Sequence, residues 1–323
     1  MSESHTTHVD AATFFLVGAT RSGTTMLGLM LDHHPDVSFP GEFEFAVDLM
    51  PGAGAFPELP LYYDWLSMNR HYRRHRPAID PALTYPELVR SFLLQMKRAA
   101  GGEGKHWVGA AVHRHFDRVH ALWPEARFVH LARDPRDVIR SWLELGWSGE
   151  AWTAAHVWRD LELLWDQVRA RIPPERVFEV RFEDLVGRTH EVLAPLCAFL
   201  SVPYSDFMLG YPEDTTYATV DPSQIGKWRH ALSPREQRLV EGVLGDLLVE
   251  RGYAPSGLPP LHVGALAGRG LRLRDWASRL RSRLQLFGFR IWLADQVAKL
   301  LRLEGWRRRL ELRRQAIVNS LLK

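Results

Sequence analysis

Four apolar residues, Phe14-Phe15-Leu16-Val17, run straight into Gly18-Ala19-Thr20-Arg21-Ser22-Gly23-Thr24-Thr25, and Met26, Leu27, Met30 and Leu31 then recur at helical spacing. That order constrains the fold more than any other stretch. An apolar run of this length suits a strand buried on both faces, which belongs to a parallel sheet. Gly18 and Gly23 bracket a turn whose backbone can take positive φ and bring N–H groups close to a ligand. The helix beginning near Gly23 aims the positive end of its dipole at the same point, so the natural guest is an anion.

The spacing Gly18-x4-Gly23 is that of a nucleotide phosphate loop, yet the position of that loop's lysine holds Thr24. A triphosphate needs the lysine on its β/γ-phosphates and Mg²⁺ on the following hydroxyl. Here the cation is Arg21, inside the loop. With Ser22, Gly23, Thr24 and Thr25 beside it, the loop suits a smaller anion held without a metal. The plainer alternative is a turn that binds nothing.

At 323 residues, 46% hydrophobic and 24% charged, the chain has room for one large domain and an appendage. Its single cysteine, Cys197, excludes an internal disulfide framework and a cysteine zinc site, and its apolar helical surroundings suit a buried, inert thiol in a reducing compartment. Residues 1–12 are polar and read as a disordered start without a signal peptide, and no apolar run is long enough to span a bilayer. The expected location is cytoplasmic, soluble or peripheral at the inner membrane face. The net charge of +3 conceals a split: residues 262–323 hold 15 Lys+Arg against 4 Asp+Glu, a net +11, so the remaining 26 basic and 34 acidic residues carry −8. A body with one task and a tail with another is implied.

Along the chain, His33-His34-Pro35-Asp36 stops the first helix, and Pro40-Gly41-Glu42-Phe43-Glu44-Phe45 sets two acids about one aromatic. Residues 56–77, rich in aromatics, Arg and His, read as an irregular insertion of the kind that walls a substrate site. A helix is expected over 85–99, a brief strand over 107–110 and a second core strand over 126–131. Arg133-Asp134-Pro135 follows at once, with Asp134 as cap and Pro135 in the first helical position, so Arg133 sits at the strand's carboxyl end and Ser141 two turns into the helix. That edge of an open α/β sheet is where ligands bind. Helix 151–171, strand 177–180 and helix 189–200 continue the alternation that makes a parallel sheet. A loop over 202–224 ends in Gln224-Ile225-Gly226-Lys227-Trp228, and Ser233-Pro234-Arg235-Glu236 opens a capped helix reaching about residue 250. Pro255, Gly257, Pro259 and Pro260 mark a linker, dividing the chain into 13–260 and a tail, 261–323.

Three separated pieces resemble sulfotransferases that use 3′-phosphoadenosine 5′-phosphosulfate (PAPS): Thr20-Arg21-Ser22-Gly23-Thr24-Thr25, Arg133-Asp134-Pro135-Arg136-Asp137 with Ser141, and Arg181-Phe182-Glu183-Asp184-Leu185. Order, spacing and context agree over roughly residues 13–250. The resemblance implies a three-layer α/β/α fold with a parallel, P-loop-like sheet, followed by a basic helical extension. It implies that residues 20–25 cradle the 5′-phosphosulfate and that Arg133 and Ser141 hold the 3′-phosphate, as a bidentate guanidinium and a hydroxyl can. Helix-start ion pairing of Arg133 with Asp134 or Asp137 is the other reading of that arginine. Gly226-Lys227-Trp228 looks like the late loop closing over the nucleotide, Lys227 adding charge and Trp228 a stacking face for adenine, unless it is a surface lysine beside a core tryptophan. Arg21 would serve the transferring group, and Glu42, with Glu44 as rival, would take the acceptor's proton.

The pattern has departures. Thr20 stands where relatives commonly carry proline, and a lysine expected just ahead of the second strand has no clear counterpart: Lys105 is early, and His113, Arg114 and His115 occupy the neighbourhood. His113, His115 and His120 lack a cysteine or acid at ligand spacing, so no metal is expected. The tail interleaves Leu, Phe and Trp with Arg at helical spacing, which suits an anionic membrane surface, the acidic body, or a homodimer through residues 262–323. Nucleic acid is not expected as a partner. The implied reaction is sulfuryl transfer to a hydroxyl or amine of a small-molecule, carbohydrate or lipid acceptor; a nucleotide-dependent kinase, or a non-catalytic nucleotide-binding membrane adaptor, is the alternative.

Overall fold

The computed structural model describes residues 12–219, 221–301 and 303–321; apart from residue 12, the expected disordered start lies outside them. Five strands, β1 (Ala12–Val17), β2 (Val37–Ser38), β3 (Trp107–Val112), β4 (Arg127–Ala132) and β5 (Val177–Arg181), form one sheet in the order β2-β3-β1-β4-β5, every pair parallel. The central strand is β1, the apolar run that precedes the loop. The helices in chain order are α1 (Thr24–Asp32), α2 (Leu59–Leu66), α3 (Arg70–His75), α4 (Tyr85–Ala99), α5 (Phe116–Leu122), α6 (Pro135–Glu144), α7 (Ala151–Arg169), α8 (Phe182–Gly187) and α9 (Thr189–Phe199). Then follow α10 (Tyr211–Asp214), α11 (Trp228–Ala231), α12 (Pro234–Leu244), α13 (Leu247–Glu250), α14 (Ala265–Phe287), α15 (Phe289–Leu300) and α16 (Glu304–Leu321).

The period of two in a strand builds the three layers. Phe15 and Val17 of β1 pack with Val108, Ala110, Phe128 and the apolar faces of α4, α5 and α7 on one side. Phe14 and Leu16 pack with Leu27, Met30, Leu185, Leu193 and Leu196 of α1, α8 and α9 on the other. Cys197 is buried in that second layer, and burial pushes its thiol up to about 11, so it is an inert core residue.

The structure corrects the expected boundaries in three places. Residues 56–77 are not irregular: α2 and α3 lie there, the second capped by Asn69, whose side chain accepts from the His71 and Tyr72 amides. The capped helix at Ser233 stops at Leu244, because Gly245 takes φ 54°, and resumes as α13. The strand starting at Trp107 runs two residues further than expected, to Val112, which carries His113 to the sheet's carboxyl edge.

The tail is helical and meets the body at both ends. Asp275 of α14 accepts from Ser148 Oγ (3.0 Å) and the Gly149 amide (2.7 Å), and Leu271 packs with Trp152 and Leu239. Gln315 of α16 accepts from Arg73 Nη1 (3.0 Å) and donates to the Met68 carbonyl (2.6 Å), which ties the tail's end to the α2–α3 insertion. Leu266, Leu273, Trp276, Phe289, Leu300 and Leu301 remain exposed. Among the described residues no helix is long and apolar enough to cross a membrane.

Candidate active site

The carboxyl ends of β1, β3 and β4 converge on one point, the edge at which parallel α/β sheets bind ligands. From β1 comes the phosphate loop. Gly18 approaches the neighbouring strand so closely that a β-carbon would stand 2.4 Å from the Leu131 carbonyl oxygen. Gly23 caps α1 at φ 100°, and a β-carbon there would meet the Phe182 ring at 2.5 Å, so both its conformation and its neighbour demand glycine. Arg21 takes φ 72° without being glycine, a strained conformation that throws its side chain outward. Thr20 is pinned by Trp142, whose Nε1 donates to its carbonyl (3.1 Å) and its hydroxyl (3.0 Å), so a hydrogen bond supplies the stiffness expected of proline.

Residues more than a hundred positions apart then meet over the loop. Arg21 Nε donates to Ser141 Oγ at 3.0 Å. Arg133 Nη1 donates to the Arg21 carbonyl at 3.1 Å and Nη2 to the Gln224 carbonyl at 2.8 Å, with the guanidinium 4.0 Å from the centre of the Phe182 ring. Helix-start pairing of Arg133 does not occur. Asp134 is taken by Arg136 Nη2 (2.8 Å), and the Asp137 carboxylate accepts from the Gly226 (2.7 Å) and Trp228 (2.9 Å) amides. Asp137 thereby fastens the late loop to α6. Ser22 Oγ and Arg133 Nε are buried without a hydrogen-bond partner, two donors waiting for acceptors at the same edge. This donor set of hydroxyls, guanidiniums and a helix N-terminus fits phosphate and sulfate oxygens.

Lys227 lies on the late loop with Nζ 3.0 Å from Gln224 Oε1. Trp228 does not fit the stacking role expected of it. It is 1% exposed, with the Arg136 and Arg229 guanidiniums 3.8 and 4.5 Å from its ring centre, so it is a packing residue that seats α11. Thr25 is exposed on the first turn of α1, and Thr24 is buried.

The two acids of the 42–44 segment separate sharply. Parallel backbone pairing of Gly41–Phe43 with Ala111 fixes the segment beside β3, and Phe43 and Phe45 anchor it in the core. Glu42 faces outward, half exposed, with Oε2 3.1 Å from His71 Nε2. Glu44 is buried, its Oε1 2.5 Å from His113 Nδ1. Burial pushes the Glu44 carboxyl up, but the hydrogen bond and charge of His113 overcome it and hold the group down at about 2. Buried and hydrogen-bonded to His113, Glu44 is less available to an acceptor's proton than the half-exposed Glu42. His113 completes a chain with its other nitrogen, Nε2, 2.9 Å from Thr24 Oγ1. Lys105 is remote from this edge, its ammonium tied to the Asp32 and Val37 carbonyls.

The sulfotransferase family model matches residues 13–206, more than half of the chain and all of the sheet but its first residue. The chain belongs to the sulfotransferase family. It is 22% identical over 276 residues to protein-tyrosine sulfotransferase 1 of Danio rerio, spanning 78% of this chain and 75% of that one. It is 24% identical over 290 residues to the nodulation protein NoeE of Sinorhizobium fredii, 75% of this chain and 66% of that one. Among solved structures, the sulfotransferase domain of the Synechococcus PCC 7002 olefin synthase superposes with a TM-score of 0.53 at 22% identity, over 75% of this chain and 98% of that domain. The fold, the family and the enzyme class therefore agree: this is a sulfotransferase with a P-loop-like parallel sheet.

The sulfotransferase site contains one participant with no expected role. Both ring nitrogens of His113 are engaged, one by Glu44 and the other by Thr24. The lysine-free neighbourhood at 112–115 points to this stretch, but His113, Arg114 and His115 are equal candidates in the sequence; the structure separates them by pairing Arg114 with Asp48 and turning His113 to Thr24.

Proposed function

We propose that the enzyme moves a sulfuryl group from PAPS to an acceptor hydroxyl, with the phosphate loop on the 5′-phosphosulfate and Arg133 with Ser141 on the 3′-phosphate. The observation that carries this reading is the meeting of Arg21, Ser141 and Arg133 over one loop, beside the unpartnered donors Ser22 Oγ and Arg133 Nε. Arg21, Gly23, Thr24 and Thr25 face the anion from the loop. Lys227 adds charge from the late loop, where Asp137 holds the backbone ready.

In the transfer the acceptor oxygen forms a bond to sulfur as the bond from sulfur to the bridging phosphate oxygen breaks, and the bisphosphate leaves with that electron pair. Two demands follow: donors on the charge that develops at the leaving oxygen, met by Arg21 and the loop, and a base for the acceptor's proton. Glu42 is that base. Its carboxylate is half-exposed, its backbone pairs with Ala111 near the end of β3, and His71 at 3.1 Å can orient it. No step asks for a metal ion.

The acceptor enters past α2 and α3, which carry His71 and receive the end of the tail. The exposed leucines, tryptophans and phenylalanine of α14–α16, in a tail of 15 basic residues over 262–323, support an entrance facing an anionic lipid surface and a lipid-linked or membrane-proximal hydroxyl as acceptor. Relatives named for protein tyrosine make a phenolic hydroxyl the competing acceptor. The test is release of 3′,5′-adenosine bisphosphate from PAPS, in EDTA, across tyrosyl peptides, glycans and lipid-linked sugars in vesicles of anionic or neutral composition. Release stimulated only by lipid-linked acceptors in anionic vesicles supports the reading. Equal rates with soluble peptides overturn the lipid acceptor.

A further inference from the structure

A phosphate loop of this spacing ordinarily carries a lysine immediately after its second glycine, and here that position is Thr24. Thr24 is nevertheless not without charge. His113, at the end of β3, places Nε2 2.9 Å from Thr24 Oγ1 and Nδ1 2.5 Å from Glu44 Oε1, and all three side chains are buried. We propose that His113 is a second cation of this phosphate loop, beside Arg21, delivered to Thr24 from the neighbouring strand, and that its charge turns the Thr24 hydroxyl toward the bound anion. The inference deepens the donor reading above and rests on it.

Proton counting decides which way the hydroxyl points. A neutral imidazole with its hydrogen on Nδ1, facing the Glu44 carboxylate, presents a lone pair at Nε2 and captures the hydroxyl hydrogen of Thr24. An imidazolium has hydrogens on both nitrogens, so it donates to Glu44 and to Thr24 at once. Thr24 Oγ1 then accepts from His113 and its own hydrogen is free to donate into the loop. One proton on His113 thus gives the loop both a positive charge and an additional hydroxyl donor.

The surroundings favour that proton. Burial pushes the His113 pKa down, but the hydrogen bond and charge of Glu44, with Glu42 behind it, raise it above the usual histidine value. Opposing them is Arg114, next along the chain, whose guanidinium is itself paired with Asp48 at 2.7 Å. His71 of α3 stands beside Glu42 and acts on Glu44, and its own pKa is lowered by burial. Glu44 is therefore a positioning residue acting through His113, which explains why a carboxylate next to the site is withdrawn from proton transfer.

The experiment is calorimetric titration of the full chain with 3′,5′-adenosine bisphosphate in EDTA from about pH 7 to 10, where the ligand's phosphates no longer titrate. Wild type is expected to lose about tenfold in affinity as His113 deprotonates. His113→Gln, which keeps a neutral donor at the same reach, is expected to bind about tenfold more weakly at pH 7 and to show no such decline. Thr24→Val is expected to flatten the profile while leaving the His113–Glu44 pair in place. An imidazole ¹⁵N spectrum of the wild-type protein at pH 7.5 gives a readout independent of any variant: both His113 nitrogens protonated is the expected result, and a neutral ring overturns the proposal. If wild type binds with the same pH profile as His113→Gln, the donor reading stands and this inference falls. If wild type binds no bisphosphate at any pH, the donor reading fails first and takes the inference with it.

Discussion

Two buried histidines, one at the end of β3 and one within β4, are held by glutamates in nearly the same way and do different things. His130 has Nδ1 2.5 Å from Glu179 Oε2 and Nε2 3.5 Å from Glu162 Oε1, and its ring stacks on Trp165. Arg251 closes the network through Glu162 Oε2 (2.6 Å) and Asp166 (2.8 Å). Burial works against the charged ring, but the two carboxylates win and raise its pKa to about 9. Both nitrogens of His130 face acids, so its proton is locked in place and the cluster only joins β4, β5 and α7. His113 has an acid on one side and a hydroxyl on the other. There the proton sets the direction of a hydrogen bond at the loop. On the role proposed for His113, what a buried histidine's second nitrogen meets decides whether the residue is structural or functional.

The largest effect that would sharpen this division is on catalysis. Glu42→Gln is expected to lower kcat by about 10³-fold while leaving the melting temperature and bisphosphate affinity unchanged. Glu44→Gln is expected to lower the melting temperature and weaken bisphosphate binding, because it frees His113. Steady-state rates and thermal scans on the two variants separate them, and a catalytic loss confined to Glu44→Gln would exchange their roles.

His130→Gln comes next, costing about 3 kcal/mol because Glu162 and Glu179 lose a buried partner. Denaturant midpoints measure this, and a change in bisphosphate affinity would break the comparison. The same cluster fixes a pH dependence. The folded-state pKa of His130 lies above its unfolded value, so its contribution is whole below about pH 6.5 and is lost as pH rises through about 9. The alkaline fall in stability should shrink in His130→Gln.

Smaller again, Arg133→Ala should weaken bisphosphate binding by about 10- to 100-fold, the worth of charged hydrogen bonds of roughly 1.5–3 kcal/mol. Titration reads this directly, and unaltered affinity would return Arg133 to a purely structural role. Smallest is Arg308→Ala, which removes a tail–body ion pair of 3.6 Å to exposed Asp64. It should change stability by less than about 1 kcal/mol, and a larger loss in thermal scans would show that the tail is bound more firmly than its contacts indicate.

What was legible in the sequence follows the range of the interactions. The strand–loop–helix at 14–31 could be read because its signals are local: a run of apolar residues, two glycines and helical spacing. Arg133 and Ser141 could be placed because a cap and a proline fix where α6 begins. A core Trp228 is one of two readings of Gly226-Lys227-Trp228, but its partner could not be read: the Arg136 guanidinium 3.8 Å from its ring, which Asp134 and Glu241 hold in place. Nor could the Glu44–His113–Thr24 chain, whose members are 69 and 89 positions apart. The insertion at 56–77 hid two helices because its aromatic and basic residues have no clean period, and Pro60 and the Asn69 cap were the local signs.

Central to the account is a metal-free site for an adenosine 3′,5′-bisphosphate built from Arg21, Arg133 and Ser141. The measurement that tests it most directly is titration of the purified protein, in EDTA, with that bisphosphate and in parallel with ATP, using Arg133→Ala as control. The account predicts metal-free binding of the bisphosphate that Arg133→Ala weakens and ATP does not match. Tighter binding of ATP that depends on Mg²⁺ would contradict it.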